Sequence, residues 1–219
     1  MQEVLNFLSE LRENNNKEWF DMNREWYQQS HKKVVFLTEL IIHELGKFDD
    51  EIGSQDPKHC IFRIYRDVRF STDKTPYKTH IGTYIAKGGR KSINAGYYLH
   101  IEPGGSFIGG GAWSPQADAL KAIRTEIYDH PEEFKKIIYA PSFRKVYKEL
   151  YDDKLKTAPK GFPKDFPDID LLKYKSYAFD SPLSDSDVTG DKFVEKIIIS
   201  MRELYPVIRF LNSALDKWL

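Results

Sequence analysis

Between Ile61 and His80 the chain reads Ile-Phe-Arg-Ile-Tyr-Arg-Asp-Val-Arg-Phe-Ser-Thr-Asp-Lys-Thr-Pro-Tyr-Lys-Thr-His, which gathers three arginines, two lysines, two tyrosines and a histidine. Arginine presents a planar fork that binds carboxylate or phosphate through two parallel hydrogen bonds. If residues 61–70 form a strand, alternation puts Ile61, Arg63, Tyr65, Asp67 and Arg69 on one face and Phe62, Ile64, Arg66, Val68 and Phe70 on the other. The expected ligand-binding set is Arg63, Tyr65, Asp67 and Arg69 from this strand, Lys74, Tyr77 and Lys78 from the following turn, and Trp113 as a stacking surface with Tyr65 and Tyr98. In this set Asp67 orients one guanidinium. The competing explanation is an exposed sheet face stitched by Arg–Asp pairs, each contributing a few tenths to about 1 kcal/mol.

His80 and His100 are the candidates for proton transfer, because an unperturbed imidazole titrates near neutrality. His100 and Glu102 stand two residues apart and share a strand face, so with His80 they could form a two-histidine, one-carboxylate metal site. That spacing arises readily by chance, and a hydrogen-bonded His–Glu pair is the expectation; no metal or other cofactor is implied. The glycine-dense run from Gly104 to Trp113 fits no nucleotide-binding pattern, and glycine within a strand more simply allows close backbone approach. Cys60 is the sole cysteine, which rules out an intrachain disulfide and a cysteine-rich metal centre. There is no Gly-x-Ser-x-Gly nucleophile elbow.

Helical spacing predicts helices over residues 2–13, 17–29 and 33–48, with Asn14–Asn16 as the first break. Strand-like runs follow at 61–70, 80–87, 93–102 and 105–113, separated by connections too short for parallel crossovers. Three short helices are expected between 115 and 151, starting at Ser114-Pro115, His130-Pro131 and Ala140-Pro141. A last strand is expected at 171–180, then a long helix from about Thr189 that Pro206 should kink or split. The fold class is α+β: one domain over residues 1–219, whose central, mostly antiparallel sheet of about five strands is covered by N-terminal helices, a middle helical segment and a long C-terminal helix.

At 219 residues with 33 basic and 33 acidic side chains, the chain has no net charge, which disfavours general nucleic-acid binding. Locally, residues 61–91 hold eight Lys or Arg against two Asp, a pattern suited to a discrete anion. The opening residues lack a basic n-region and no apolar run approaches the ~20 residues of a membrane helix, so a soluble cytoplasmic protein is expected.

The motif Arg-x-x-Arg-Asp-x-Arg-Phe-Ser-x-Asp-Lys-Thr-Pro-Tyr-Lys over residues 63–78 resembles the microbial family known as domain of unknown function 2461. The resemblance extends to Trp19-Phe20, to Gly96-Tyr97-Tyr98-Leu99-His100-Ile101-Glu102-Pro103-Gly104 and to Leu171-Leu172-Lys173-Tyr174-Lys175. It implies no particular activity, cofactor or catalytic residue. The functional expectation is therefore that of the residues: a small phosphorylated or carboxylated ligand in a basic cleft over the sheet, with or without catalysis. The alternative is a non-catalytic module that docks an acidic protein segment or a nucleic-acid backbone.

Overall fold

The computed structural model describes residues 1–53 and 55–218. In chain order the elements are α1 (Gln2–Glu13), α2 (Lys17–Met22), α3 (Arg24–Leu45), α4 (Pro57–Cys60), β1 (Ile81–Ala86), β2 (Gly96–Ile101), β3 (Phe107–Ala112), α5 (Ala117–Asp129), α6 (Pro131–Ile138), α7 (Pro141–Val146), α8 (Ile169–Leu172), β4 (Tyr177–Pro182), α9 (Asp185–Thr189) and α10 (Phe193–Trp218). The fold is α+β, and the four strands lie in the order β1-β2-β3-β4 with every pair antiparallel. Short connections join the first three strands as a meander, while α5 to α8 intervene before β4 returns to the free edge of β3.

Strand alternation divides the sheet into two faces. Tyr97, Leu99 and Ile101 of β2 are buried toward the helices, where α10 crosses β3 and β2. Contact is close because Gly110 has no side chain: a Cβ there would stand 2.8 Å from Leu204 Cδ1 and 2.6 Å from the Gly96 carbonyl oxygen. The Tyr97 hydroxyl donates to Asp49 Oδ2 at 2.7 Å, which gives this buried phenol a partner. Asn212 of α10 accepts from Ala95 N at 2.8 Å and donates to Ala95 O at 3.3 Å, so the helix also fixes the entry to β2.

Asn15 and Phe20 join the N-terminal helices to the basic segment. Asn15 uses its amide like a strand backbone, accepting from Tyr77 N at 3.1 Å and donating to Tyr77 O at 3.0 Å. Phe20 stacks on Tyr77 with ring centroids 4.0 Å apart and 13° between planes. Phe7, Trp19, Trp26 and Tyr27 extend this aromatic cluster beneath α1 and α3.

Several elements differ from the expectation. The sheet has four strands rather than about five, because residues 61–70 do not form a regular strand. Their backbone pairs with the β1 side through the bridges Ile61↔Thr83 and Tyr65↔Tyr77 and the bonds Phe62 N to Gly82 O, Lys78 N to Ile64 O and Arg66 N to Pro76 O, each 2.8–2.9 Å. Between the two bridges lie three residues on one side (62–64) and five on the other (78–82), so the ladder bulges. Pro76 accepts from Arg66 N but, lacking an N–H, cannot donate a bond in return. The expected strand at 171–180 begins only at Tyr177, after the short helix α8. The helices expected at 17–29 and 33–48 are instead broken at Asn23, whose side chain donates to Trp19 O, and α3 then runs without interruption through Ser30. Pro206 does not split α10, since Arg202 and Pro206 both face solvent, where an unpaired carbonyl can be hydrated.

Packing at Gly110 yields a direct test. Gly110→Ala should destabilise the fold by about 1–3 kcal/mol through overpacking against α10 and β2. Gly46→Ala, at a helical φ of −60° with no heavy atom closer than 3.5 Å to the new Cβ, should be neutral or stabilising by up to ~1 kcal/mol. Urea unfolding of both variants distinguishes the two sites, and equal midpoints would contradict the Gly110–Leu204 contact.

Candidate functional site

The face of the sheet turned away from α10 carries the chemistry. Register places Gly82 opposite His100, Tyr84 opposite Tyr98 and Phe107 opposite His100, so Tyr98 and His100 project from the middle of this outer face. His80 precedes β1 and Glu102 follows β2, at the same end of the two strands. The His100 ring packs between His80, with centroids 4.3 Å apart, and Phe107, at 4.7 Å, and it is 8% exposed.

Both nitrogens of His100 are engaged. Nδ1 lies 3.0 Å from the Tyr98 hydroxyl, and Nε2 lies 3.1 Å from Glu102 Oε2. A carboxylate accepts only, so Nε2 carries the proton and Nδ1 accepts from Tyr98. Glu102 is held in turn: Thr79 Oγ1 donates to its Oε1 at 3.0 Å, and its backbone N–H donates to Ser106 Oγ at 3.0 Å. Tyr98 reaches His100 because Gly82 leaves room, since a Cβ on Gly82 would lie 2.5 Å from the Tyr98 hydroxyl.

The electrostatics follow from this enclosure. Burial lowers the pKa of His80 to about 4, with further lowering by His100 and Lys78 against an opposing contribution from Glu102. Burial also lowers His100, opposed by its hydrogen bond to Glu102. Burial disfavours the Glu102 carboxylate, but the hydrogen bonds from His100 and Thr79 outweigh it and hold the group below its ordinary range. Tyr98 is pushed up to about 12 by burial and the nearby Glu102 charge. At neutral pH the cluster is thus a neutral phenol, two neutral imidazoles and an ionised carboxylate.

The basic segment divides into two parts. At its tip the charges satisfy one another: Arg69 grips Asp67 through Nε at 2.9 Å and Nη2 at 2.6 Å, and Arg66 bonds Asp73 and the Thr75 hydroxyl. Lys74 donates to Val68 O at 2.9 Å. The backbone N–H of Thr75, then Arg66 and the Thr75 hydroxyl, hold Asp73 at a pKa of about 2. At its base, Arg63 and Lys78 have no carboxylate partner among the described residues, and neither does Arg90 from the β1–β2 connection, whose Nε donates to His59 O. Lys78 and Arg90 both lie over the Phe62 ring, at 5.5 and 4.7 Å from its centroid. Burial, then the charges of Arg63 and Arg90, lower the pKa of Lys78. Phe62 meets Tyr98 edge-on at 6.4 Å, which brings this cationic trio to the border of the histidine cluster.

Of the residues singled out from sequence, the structure brings Arg63, Lys78, His80, His100 and Glu102 to one region. Tyr77 is buried against Phe20, and Tyr65 packs on the same cluster while remaining 46% exposed. Trp113 is six residues along β3 from Phe107, about 20 Å away at strand rise, and packs against Tyr151. Sequence reading missed Arg90, Phe62 and Thr79, and it treated Tyr98 as a stacking surface rather than the hydrogen-bond partner of His100. The repeat Tyr98-x-His100-x-Glu102, with period two, was the available signal for the last of these. The expected stacking wall of Tyr65, Tyr98 and Trp113 is not assembled, since the three side chains belong to different clusters.

The chain matches the family described as "Conserved hypothetical protein (DUF2461)" over residues 3–210 and belongs to that family. No curated protein and no solved structure gives a significant match. No helix among the described residues is long and apolar enough to cross a membrane.

The depressed His80 pKa has a measurable consequence. An NMR titration should place its midpoint near 4, well below the ordinary 6.5. Between those two values the unfolded chain takes up a proton that the folded chain refuses, so this contribution to stability is complete above pH 6.5 and is lost as pH falls toward 4. His80→Asn should flatten that part of the stability profile; a wild-type midpoint at 6 or above would contradict the burial described for the ring.

Proposed function

We propose that this member of the family binds a small phosphorylated or carboxylated ligand on the outer face of the sheet, with Arg63, Lys78 and Arg90 holding the anionic group. The observation that carries the reading is Lys78 and Arg90 over the Phe62 ring with the Arg63 charge close to Lys78, none of the three in an ion pair among the described residues, while Arg66, Arg69 and Lys74 are engaged within the loop. Partial burial of Lys78 and its repulsion by Arg63 and Arg90 cost folding energy, which an incoming anion recovers. The Tyr98–His100–Glu102 chain borders this position and could exchange a proton with a bound ligand, with His80 or His100 as the group that titrates. Arg69 and Lys74, engaged within the loop, have a structural part in this reading. A cytoplasmic setting belongs to the same proposal, supported by a single buried cysteine in place of a disulfide framework.

A second reading has its own support. The region around Arg63 and Tyr65 is exposed, and a groove of about 470 Å³ lies elsewhere, lined by Phe36, Leu37, Leu40 and Phe193 on the helical side of the sheet. An open basic surface suits an acidic protein segment or a nucleic-acid backbone better than an enclosed metabolite.

Thermal unfolding of wild type and Arg63→Ala/Lys78→Ala with inorganic phosphate, sugar phosphates, nucleotides and dicarboxylates separates the readings. A ligand present at about 100 times its dissociation constant should stabilise the wild type by ~2.7 kcal/mol and leave the double variant unshifted. Absence of any selective shift, together with steeply salt-dependent binding of a polyanion, would favour the docking module.

A further inference from the structure

The geometry points to a divalent transition-metal site formed by His80, His100 and Glu102. Their donor atoms lie within 4.8 Å of one another, with His100 on β2, Glu102 just after it and His80 just before the neighbouring β1. Two imidazoles and one carboxylate match the donor set of zinc and of other first-row divalent ions, whereas magnesium and calcium prefer oxygen donors alone. Bonds of about 2.0–2.2 Å require donor atoms roughly 3–3.5 Å apart, so His100 Nε2 and Glu102 Oε2, at 3.1 Å, already have the needed spacing. His80, which is only partly buried, closes the remaining distance by side-chain rotation.

The supporting groups distinguish this cluster from a chance meeting of three polar residues. A ligating imidazole generally has its second nitrogen hydrogen-bonded, and a ligating carboxylate has its free oxygen held as well. Here the Tyr98 hydroxyl stands 3.0 Å from His100 Nδ1, and Thr79 Oγ1 donates to Glu102 Oε1 at 3.0 Å. The ion takes the place of the proton between Nε2 and Oε2. That proton moves to Nδ1, and the Tyr98 hydroxyl turns from donor to acceptor, so the exchange is balanced without net proton release. Stacking on Phe107, with centroids 4.7 Å apart and 14° between planes, orients the His100 ring independently of His80. Three protein ligands leave at least one coordination position open.

The site does not rest on the anion-binding proposal, and its test uses the metal alone. Tag-free, chelator-treated protein is titrated with Zn²⁺ by calorimetry and with Co²⁺ by visible absorption. Wild type should take up close to one equivalent, with Co²⁺ bands of a low-coordinate nitrogen–oxygen site. His80→Asn and Glu102→Gln, both at partly exposed positions and checked for intact fold by circular dichroism, should weaken binding by at least the roughly 10–100-fold that loss of an outer-shell partner costs. His43→Asn, on the exposed side of α3, should bind as wild type does. No uptake by wild type, uptake unchanged in both site variants, or equal loss in His43→Asn would overturn the assignment.

Discussion

The structure depends on the one-sided burial of β2. Tyr97, Leu99 and Ile101 must face the helical side of the sheet, and a strand's period of two then commits Tyr98, His100 and Glu102 to the opposite face together. A slip of one residue would put a histidine and a carboxylate into the apolar core, at a cost of several kcal/mol. Gly110 and Asn212 secure this register from the helical side: the first lets Leu204 approach, and the second binds both backbone groups of Ala95. The geometry of the outer cluster is therefore inherited from packing that it does not touch.

The basic segment shows how composition and arrangement can diverge. Its cations look alike in sequence, yet those at the tip bond Asp67, Asp73, Thr75 and the Val68 carbonyl and shape the loop itself. These exposed pairs are of the kind that contribute little to stability. At the base, Phe62 collects Lys78 and Arg90, and the local field they share with Arg63 lowers the affinity of Lys78 for its own proton. Asn15 and Phe20 clamp Tyr77 between these two parts, so the N-terminal helices set where the loop ends and the sheet begins.

Enclosure gives the histidine cluster its character. Aromatic rings on both sides of His100 and the partial burial of His80 favour neutral imidazoles, while hydrogen bonds keep Glu102 ionised. Neutral nitrogen donors beside an ionised carboxylate are the protonation state that both proton exchange and metal ligation require.

Much of this was legible in the residues themselves. Alternation and short Gly-containing connections determined an antiparallel meander with β1, β2 and β3 close to their observed bounds, and proline punctuation determined the starts of α6 and α7, because both signals are local; α5 starts at Ala117 rather than at Ser114-Pro115, since Ser114 takes a positive φ of 44° and Gln116 is the N-cap. The strand expected at 61–70 was not realised: its alternation is sound, but the unequal spacing of its bridges and Pro76 belong to the pairing, which one segment does not specify. The shared face of His100 and Glu102 followed from their separation by two. That Tyr98 turns its hydroxyl to His100 over Gly82, that Arg90 arrives from a different connection to join Lys78 and Arg63, and that Asp67 takes up Arg69, only the tertiary structure decided. Sequence spacing dictates which side of a strand a side chain leaves from; which partner it meets depends on chain brought in from a distance.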